Sequence, residues 1–268
     1  MLQVSYVDTQ PIPRALAPGG RAALAGTIAP GFVEPEAFVT GADGAVRRLP
    51  LAVASDGSFA GEVRCPDHAG RHQVELAASD RTGSTVLANF PLWCGQTPPS
   101  ELSATVDPDD ARPVTSADDA ETRLVALLNR DRAAAGLPAL AIDPAVATVA
   151  RAHSLDMRDH GFVGHISPTT GSASDRALAA GIRSGVILEN IARAYGAAEA
   201  QAGLMNSPGH RANALSASAT HVGIGVVLGD EVAGRRELYV TQMFIRVPRA
   251  VSPARSARPR RRRRCRRT

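Results

Sequence analysis

Two histidines and one glutamate in this sequence lie in short blocks of small and turn-forming residues. His165 belongs to GHISP, Glu189 to LENIA and His210 to SPGHR, all between residues 164 and 211. Two neutral imidazoles bind a zinc-like ion through one nitrogen each, and water or a carboxylate completes the ligand set. A buried imidazole or carboxylate must be hydrogen-bonded, paired or metal-bound. The three residues therefore predict a shared cleft, with His165 and His210 as candidate zinc ligands.

The same residues also have structural interpretations, which the sequence leaves open. Glu189 is able to cap a helix, Asn190 to fasten a neighbouring loop, and His210 to lie at a helix start without binding a ligand. Ser207 suggests a nucleophile with His210 as its base and Glu189 as the orienting group. However, Ser207 precedes Pro208 just before a helix, which is an ordinary N-cap position. We expect capping to be its role.

The order of the motifs resembles one known family. The motifs GH-x-S-P, EN-I-A, SPGHR-x-N-x-L, T-x-VGIGV and YVTQMF occur in this order. They resemble the bacterial branch of the CAP superfamily (cysteine-rich secretory proteins, antigen 5, pathogenesis-related 1). Residues 127–140 and 150–157 resemble the first two helices of that family. Several spaced motifs in order are specific, whereas one motif alone is weak.

The resemblance implies a set of cleft residues. Family members commonly carry two histidines and two acidic residues, and His165, Glu189 and His210 match three of these four. Ser207 stands where eukaryotic members have the second glutamate. The implied ligand-binding set is therefore His165, Glu189, Asn190, Ser207 and His210. In the family the glutamate more often hydrogen-bonds an imidazole than binds the ion. Arg176 resembles part of a D-R pair and is interpreted as structural.

The length of 268 residues predicts two domains. Residues 1–97 alternate short apolar runs with turn signals and predict a small all-β sandwich of immunoglobulin-like type. Its predicted strands are 22–28, 37–40, 49–53, 58–63, 72–79 and 86–93. Residues 98–117 are rich in Pro, Ser, Thr and Asp and predict a linker. Residues 118–248 form the predicted CAP domain, and 249–268 a disordered arginine-rich tail.

The second half predicts helices followed by strands, which favours the α+β class. Its predicted helices are 118–135, one from 144 to about 161, a short one that ends at 181, 197–206 and a last piece from 208. Asp143 and Ser172 supply helix caps. Residues 222–228 and 238–245 predict strands joined by a polar loop, 229–237. The family resemblance implies that these elements form an α-β-α sandwich.

The charge is unevenly distributed. The formal net charge is +4, but nine arginines lie between residues 255 and 267, and without them the net charge is −5. The mildly acidic body argues against nucleic-acid binding. The arginine tail suits attraction to an anionic surface, such as a phospholipid leaflet, an acidic cell-wall polymer or nucleic acid, and a basic tail without function is an equal alternative.

The sequence predicts no transmembrane helix, because it has no apolar run of about 18 residues. Residues 1–10 show no signal-peptide features, although the resembled family is mostly secreted, and we predict a secreted or cell-envelope location. Cys65 and Cys94 are candidates for a disulfide in an oxidising compartment, but the sequence leaves their pairing open. Cys265 in the tail is interpreted as a free thiol.

Three functions follow from these residues. In the first, the His165, Glu189, His210 cleft binds a divalent metal or a small apolar ligand. In the second, the protein is a metal- or histidine-dependent hydrolase of peptides or cell-wall material, with the same three residues as catalytic candidates. In the third, both domains form an adhesion or interaction scaffold for a cell-envelope component. The sequence does not decide whether the protein is an enzyme.

Overall fold

The computed structural model describes residues 6–101 and 112–247. The elements of the first range are β1 (Val7–Thr9), β2 (Ala15–Leu16), β3 (Arg21–Ile28), β4 (Val33–Thr40), β5 (Val46–Leu49), β6 (Leu51–Val53), β7 (Ser58–Arg64), β8 (Gly70–Asp80) and β9 (Gly83–Cys94). Those of the second are α1 (Ala117–Ala134), β10 (Ala141–Ile142), α2 (Pro144–His160), α3 (Ala173–Ala179), β11 (Ile187–Ala194), α4 (Ala197–Asn206), α5 (Pro208–Ala214), β12 (His221–Val232) and β13 (Arg235–Ile245). Half of the predicted linker and the whole predicted tail lie outside the described residues.

The strands of the first range form two sheets. Their orders are β1-β3-β7-β6 and β2-β9-β8-β4-β5. Leu24 and Phe59 of one sheet pack with Val74 and Leu92 of the other in a single buried core. The apolar alternation that predicted these strands therefore corresponds to side chains that point between the sheets. The immunoglobulin-like assignment stays a prediction.

One predicted strand, 49–53, is wrong. The chain forms β5, which ends at Leu49 and pairs with β4, and then β6, which starts at Leu51 and pairs with β7. These partners belong to different sheets. Pro50 separates the two strands, and proline has no N–H to donate to a ladder. The chain crosses from one sheet to the other at this residue.

A disulfide joins Cys65 to Cys94, with their Cα atoms 5.4 Å apart. Cys65 follows β7 of the first sheet, and Cys94 ends β9 of the second. Both residues lie in the core between the sheets. The pairing that the sequence left open is therefore made, and it links the two sheets covalently.

The second range has helices on both faces of one sheet, in the order β10-β12-β13-β11. Successive residues of β13 point to opposite faces. Leu238 and Phe244 pack in a core with α1 and α4, whereas Met243 and Ile245 pack in another with α2 and α3. This is the α-β-α arrangement that the resemblance implies. Within the described residues, no helix combines the length and apolar character needed to cross a bilayer.

Two glycines of β12 let α2 lie directly on the sheet. A Cβ at Gly223 would lie 2.2 Å from the backbone N of Ala147, and one at Gly225 would lie 2.0 Å from that of Arg151. A side chain at either position would push the helix away. Asp143 caps the start of α2, and Ser172 caps α3 in a capping box, as predicted. Gly161 ends α2 in the left-handed conformation, so this residue and the Ser172 cap bound the loop that carries His165.

Two strand predictions in the second range need correction. The predicted polar loop 229–237 is wrong, because β12 and β13 continue through it to a tight turn. Ala233 and Gly234 occupy that turn with φ values of 51° and 77°, which is the conformation of a two-residue hairpin turn that matches the twist of the strands. Strand β11, which contains Glu189, was not predicted. It lies at the edge of the sheet and pairs with β13.

Removal of the disulfide tests its contribution to stability. In Cys65→Ser/Cys94→Ser we expect the free energy of unfolding of the two-sheet region to fall by roughly 3 kcal/mol, because a cross-link restricts the unfolded chain. Chemical denaturation followed by the fluorescence of Trp93, the only tryptophan of the sequence, measures this change. Cys265→Ser is the matched control. Equal midpoints for the double variant and the control would contradict the prediction.

Candidate functional site

His165 lies in the loop between α2 and α3, where several groups hold it. Its Nδ1 lies 3.0 Å from Oε1 of Glu189. Its backbone carbonyl accepts a hydrogen bond of 3.2 Å from Arg176. The carbonyl of the preceding Gly164 lies 3.0 Å from Nε2 of His153, a buried residue of α2. Since Nδ1 is engaged by Glu189, Nε2 is the ring nitrogen that is left for a ligand.

Glu189 is buried in β11, and each of its oxygens has a partner. Oε1 faces His165, and Oε2 accepts a hydrogen bond of 2.5 Å from Arg176. Burial by itself would raise the pKa of Glu189, but the hydrogen bond from His165 and the charge of Arg176 outweigh burial and hold the pKa below its usual value. The carboxylate is ionised at neutral pH. The helix-cap interpretation of Glu189 is wrong, because the residue lies in a strand and its carboxylate binds side chains.

Arg176 belongs to this site, although the sequence indicated only a structural role. Its guanidinium is buried and donates to the carbonyls of His165 and Gly171 as well as to Glu189. It therefore closes the GHISP loop around the carboxylate. A buried guanidinium needs an anion, but nothing local in the sequence identifies Glu189 as that anion.

His210 lies in the first turn of α5, next to His165. The ring centroids are 6.4 Å apart and the ring planes are inclined by 34°. Nδ1 of His210 lies 2.7 Å from Oγ of Ser207. Burial, with a smaller effect from the charge of His165, lowers the pKa of His210 to about 4. The ring is therefore neutral at neutral pH.

Ser207 is the N-cap of α5, as predicted. Its Oγ accepts the backbone N–H of His210, and Pro208 follows at the first helical position. The residue is also buried, and the same Oγ contacts Nδ1 of His210. A serine nucleophile must reach its substrate and have an oxyanion site beside it. The geometry of Ser207 favours the cap over the nucleophile.

Asn190 holds α5 against β11. Its Nδ2 donates to the carbonyl of His210 at 3.0 Å and to Oε1 of Gln242 at 3.2 Å. Its Oδ1 accepts a bond of 3.1 Å from Asn213, which also donates to the carbonyl of Glu189. The sequence analysis did not single out Gln242 or Asn213, although Asn213 is the asparagine of SPGHR-x-N-x-L. These hydrogen bonds engage both the nitrogen and the oxygen of the Asn190 side chain. The role of Asn190 in binding a ligand stays a prediction.

The turn between β8 and β9 contacts the His165 loop. The carbonyl of Thr82 accepts the N–H of Ile166 at 2.8 Å. At Gly83, which has a φ of 102°, an added Cβ would lie 3.0 Å from the Cβ of His165. Gly164 lies closer still, because a Cβ there would be 2.5 Å from that of Thr82. The two-sheet region therefore borders the cleft directly.

Glu75 of β8 makes a second contact, at the His210 segment, and the sequence analysis did not identify it. The residue is 1% exposed, and its Oε1 accepts the N–H of Gly209 at 3.0 Å. Burial raises the pKa of Glu75, while the adjacent hydroxyl of Ser207 and the N–H of Gly209 act in the opposite direction. Its Oε2 has no hydrogen-bond partner among the described residues.

The two histidines fit a metal ion better than the glutamate does. Each has its Nδ1 held by an outer partner, which is the usual arrangement for metal-binding imidazoles. Glu189 does not fit as a third ligand, because His165 and Arg176 engage both of its oxygens. Across residues 6–101 and 112–247, no group of three or more His, Cys, Asp or Glu is arranged to hold a metal. The two imidazoles therefore remain the candidate ligands of an ion, and the described residues do not form a three-ligand zinc site.

The comparison with protein families agrees with this fold. The CAP family model (Cysteine-rich secretory protein family) matches residues 125–244. Residues 125–244 of the chain therefore carry a CAP domain.

Two curated relatives come from Bacillus subtilis. The uncharacterized protein YkwD is 41% identical over 108 residues, which are 40% of this chain and 42% of YkwD. The uncharacterized membrane protein YlbC is 35% identical over 128 residues, which are 47% of this chain and 34% of YlbC. The matches thus span less than half of the length of these relatives.

Solved structures show weaker similarity. An extracellular protein with an SCP domain from Bacillus anthracis is 20% identical, with a TM-score of 0.44, over 91% of this chain and 68% of that one. A cysteine-rich secretory protein from Staphylococcus aureus is 14% identical, with a TM-score of 0.39, over 84% of this chain and 77% of that one.

Arg176→Ala tests the buried ion pair. We expect the free energy of unfolding to fall by about 3–5 kcal/mol, because Glu189 would remain charged and buried without its cation. Equilibrium denaturation of the full chain measures the loss. Arg176→Ala/Glu189→Gln is the matched comparison and should recover part of the stability, since no buried charge is left unpaired. A double variant less stable than the single one would contradict this explanation.

His210→Gln tests the lowered pKa. The pKa of His210 is lower in the folded chain than in the unfolded one, so the unfolded chain binds the extra proton as the pH falls. Wild-type stability should therefore drop between the ordinary pKa of 6.5 and the folded value of about 4. Over this range the wild type should lose roughly 3 kcal/mol more of its free energy of unfolding than His210→Gln does. Denaturation of both chains in chelator across this range measures it, and parallel pH profiles would refute the prediction.

Proposed function

We propose that this chain is an extracytoplasmic CAP-domain protein whose His165 and His210 together bind a divalent metal ion, with Zn²⁺ as the first ion to test. The proposal rests on the proximity of the two rings and on the contacts of their Nδ1 atoms. Their ring centroids lie 6.4 Å apart. Nδ1 of each ring contacts a neighbouring side chain, so Nε2 is the nitrogen left for an ion. A bound ion would supply a positive charge that holds an anionic or carbonyl-bearing ligand.

The protonation state of His210 also supports metal binding. An imidazole must be neutral to bind a metal, and burial keeps the pKa of His210 at about 4. No proton has to leave this ring at neutral pH. At His165 the carboxylate of Glu189 accepts a hydrogen bond from Nδ1, and such an outer partner makes Nε2 a better ligand for a metal ion.

The disulfide supports the proposed location outside the cytoplasm. Structural disulfides persist in oxidising compartments, and Cys65 and Cys94 join two buried sheets. Two facing sheets linked in this way also support the immunoglobulin-like assignment of residues 1–97. Contact of the arginine tail with anionic surfaces remains a prediction, because residues 249–268 lie outside the described part of the chain.

The alternative functions have less support. A base with a pKa near 4, as at His210, is weakly basic at neutral pH, and Ser207 acts as a cap. The hydrolase, the small apolar ligand and the adhesion scaffold remain predictions.

Calorimetric titration of the metal-free full chain with Zn²⁺ at neutral pH tests the proposal. We expect one binding site, which His165→Ala and His210→Ala each abolish. Glu189→Gln should weaken it by roughly 10- to 100-fold, because such outer partners orient the ligand and increase its basicity.

His160→Ala provides the matched control, since it removes an exposed histidine at the end of α2. Binding should survive in this variant. A wild type that binds no zinc, or zinc binding that survives in both His165→Ala and His210→Ala, would refute the proposed site.

A further inference from the structure

The turn between β8 and β9 holds the His165 loop from the other region of the chain. The carbonyl of Thr82 accepts the backbone N–H of Ile166, the residue directly after His165, at 2.8 Å. A Cβ added at Gly83 would lie 3.0 Å from the Cβ of His165. A Cβ added at Gly164 would lie 2.5 Å from the Cβ of Thr82. A side chain at either glycine would therefore push the turn and the loop apart.

Strand β8 of the same hairpin holds the His210 segment. Its side chains alternate between the two faces of the sheet, so Glu75 points away from the core that contains Val74 and Leu76. The Oε1 atom of Glu75 accepts the backbone N–H of Gly209, the residue directly before His210, at 3.0 Å. Glu75 is only 1% exposed although it lies on the outer face of the sheet. The first turn of α5 is thus fastened to this face.

The two contacts belong to one continuous hairpin. Strands β8 and β9 pair in antiparallel register along their whole length, with one irregularity after Leu76. The hydrogen bonds of such a ladder keep its residues at fixed positions relative to one another. The two histidines, by contrast, lie on separate segments of the CAP domain, namely the loop before α3 and the start of α5. The hairpin connects these two segments from outside the CAP domain.

We propose that the β8–β9 hairpin sets the distance between the imidazoles of His165 and His210. Glu75 is the positioning residue for His210, and the turn at Thr82 and Gly83 positions His165. The cleft is then a site that the two regions of the chain build together. Its histidines come from the CAP domain, and their separation comes from the two-sheet region.

The separation matters for the metal ion of the proposed function. A zinc-bound imidazole nitrogen lies about 2.0–2.1 Å from the ion, so two imidazoles share one ion only over a narrow range of separations. The inference rests on the proposed function for this consequence alone. The hairpin contacts both segments in the metal-free chain.

Glu75→Ala and Glu75→Gln form a matched pair that tests the contact at α5. The alanine variant removes the acceptor of the Gly209 N–H, whereas the glutamine variant keeps an oxygen there. Calorimetric titration of the full chain should show zinc affinity lower by at least about 10-fold in Glu75→Ala, as when groups that orient metal ligands are removed. Glu75→Gln should bind zinc like the wild type. Equal zinc affinities in the two variants would overturn the role of Glu75.

Gly164→Ala tests the contact at the turn. Gly164 does not have a positive φ, so alanine fits its backbone, but the added Cβ forces the loop away from Thr82. We expect zinc affinity to fall by at least about 10-fold. Gly185→Ala is the matched control, because its Cβ would enter open space, and it should bind zinc normally. Unchanged affinity in a folded Gly164→Ala variant would overturn the role of the turn.

Spectra of the metal-free chain test the hairpin independently of zinc. In ¹H–¹³C spectra of the histidine-labelled full chain, the ring signals are assigned from their absence in His165→Ala and His210→Ala. Glu75→Ala should shift the His210 signals more than those of His165, and Gly164→Ala should do the reverse. Ring signals that stay in place in both variants would overturn the inference. The expected shifts in a chain whose wild type binds no zinc would support the hairpin and refute the metal site.

Asn89→Ala controls for a general loosening of the contact between the two regions. Asn89 pairs with Glu75 in the β8–β9 ladder, and its Nδ2 donates to the carbonyl of Asn206 at 3.1 Å. The variant therefore removes a hydrogen bond between the same regions that is not adjacent to either histidine. Zinc affinity and both sets of ring signals should remain those of the wild type. Equal losses of zinc affinity in Asn89→Ala and Glu75→Ala would overturn the positioning role.

Discussion

The buried carboxylate of Glu189 is the group on which the site depends. It is paired on one side with Arg176 and on the other with His165, so the edge strand β11, the short helix α3 and the His165 loop meet at one charge. A buried ion is tolerated only when its partners are close and well oriented. The elements around Glu189 are therefore constrained together. The close approach of α2 to Gly223 and Gly225 fixes where this loop begins.

The two imidazoles of the cleft have different electrostatic surroundings. His165 contacts a carboxylate that Arg176 keeps ionised, whereas His210 contacts a hydroxyl in a buried environment that keeps the ring neutral. The family resemblance placed Ser207 where eukaryotic members have a glutamate. In this chain the carboxylate beside that position belongs to Glu75, in the other region. The two-sheet region thus contributes to the environment of the cleft in addition to bordering it.

Much of the fold could be predicted because its signals are local. The caps at Asp143 and Ser172 lie within a few residues of the groups that they bind, and the strands of residues 6–94 show their apolar alternation directly. Errors arose where a local signal was ambiguous. Pro50 lies inside a run that was predicted as one strand, and β11, which was not predicted, places the polar residues Glu189 and Asn190 inside a strand.

The sequence by itself determined the CAP fold, the helix starts and the identity of His165, Glu189 and His210, because motifs and caps are set by residues near one another in the chain. Only the tertiary structure decided how these residues pair. The partners of Glu189 lie 24 and 13 positions away, and Gly209 lies 134 positions from Glu75. Hydrogen bonds over such separations depend on how sheets and helices pack, and no local pattern records them. The tertiary structure therefore decided which nitrogen of each histidine is left for a ligand.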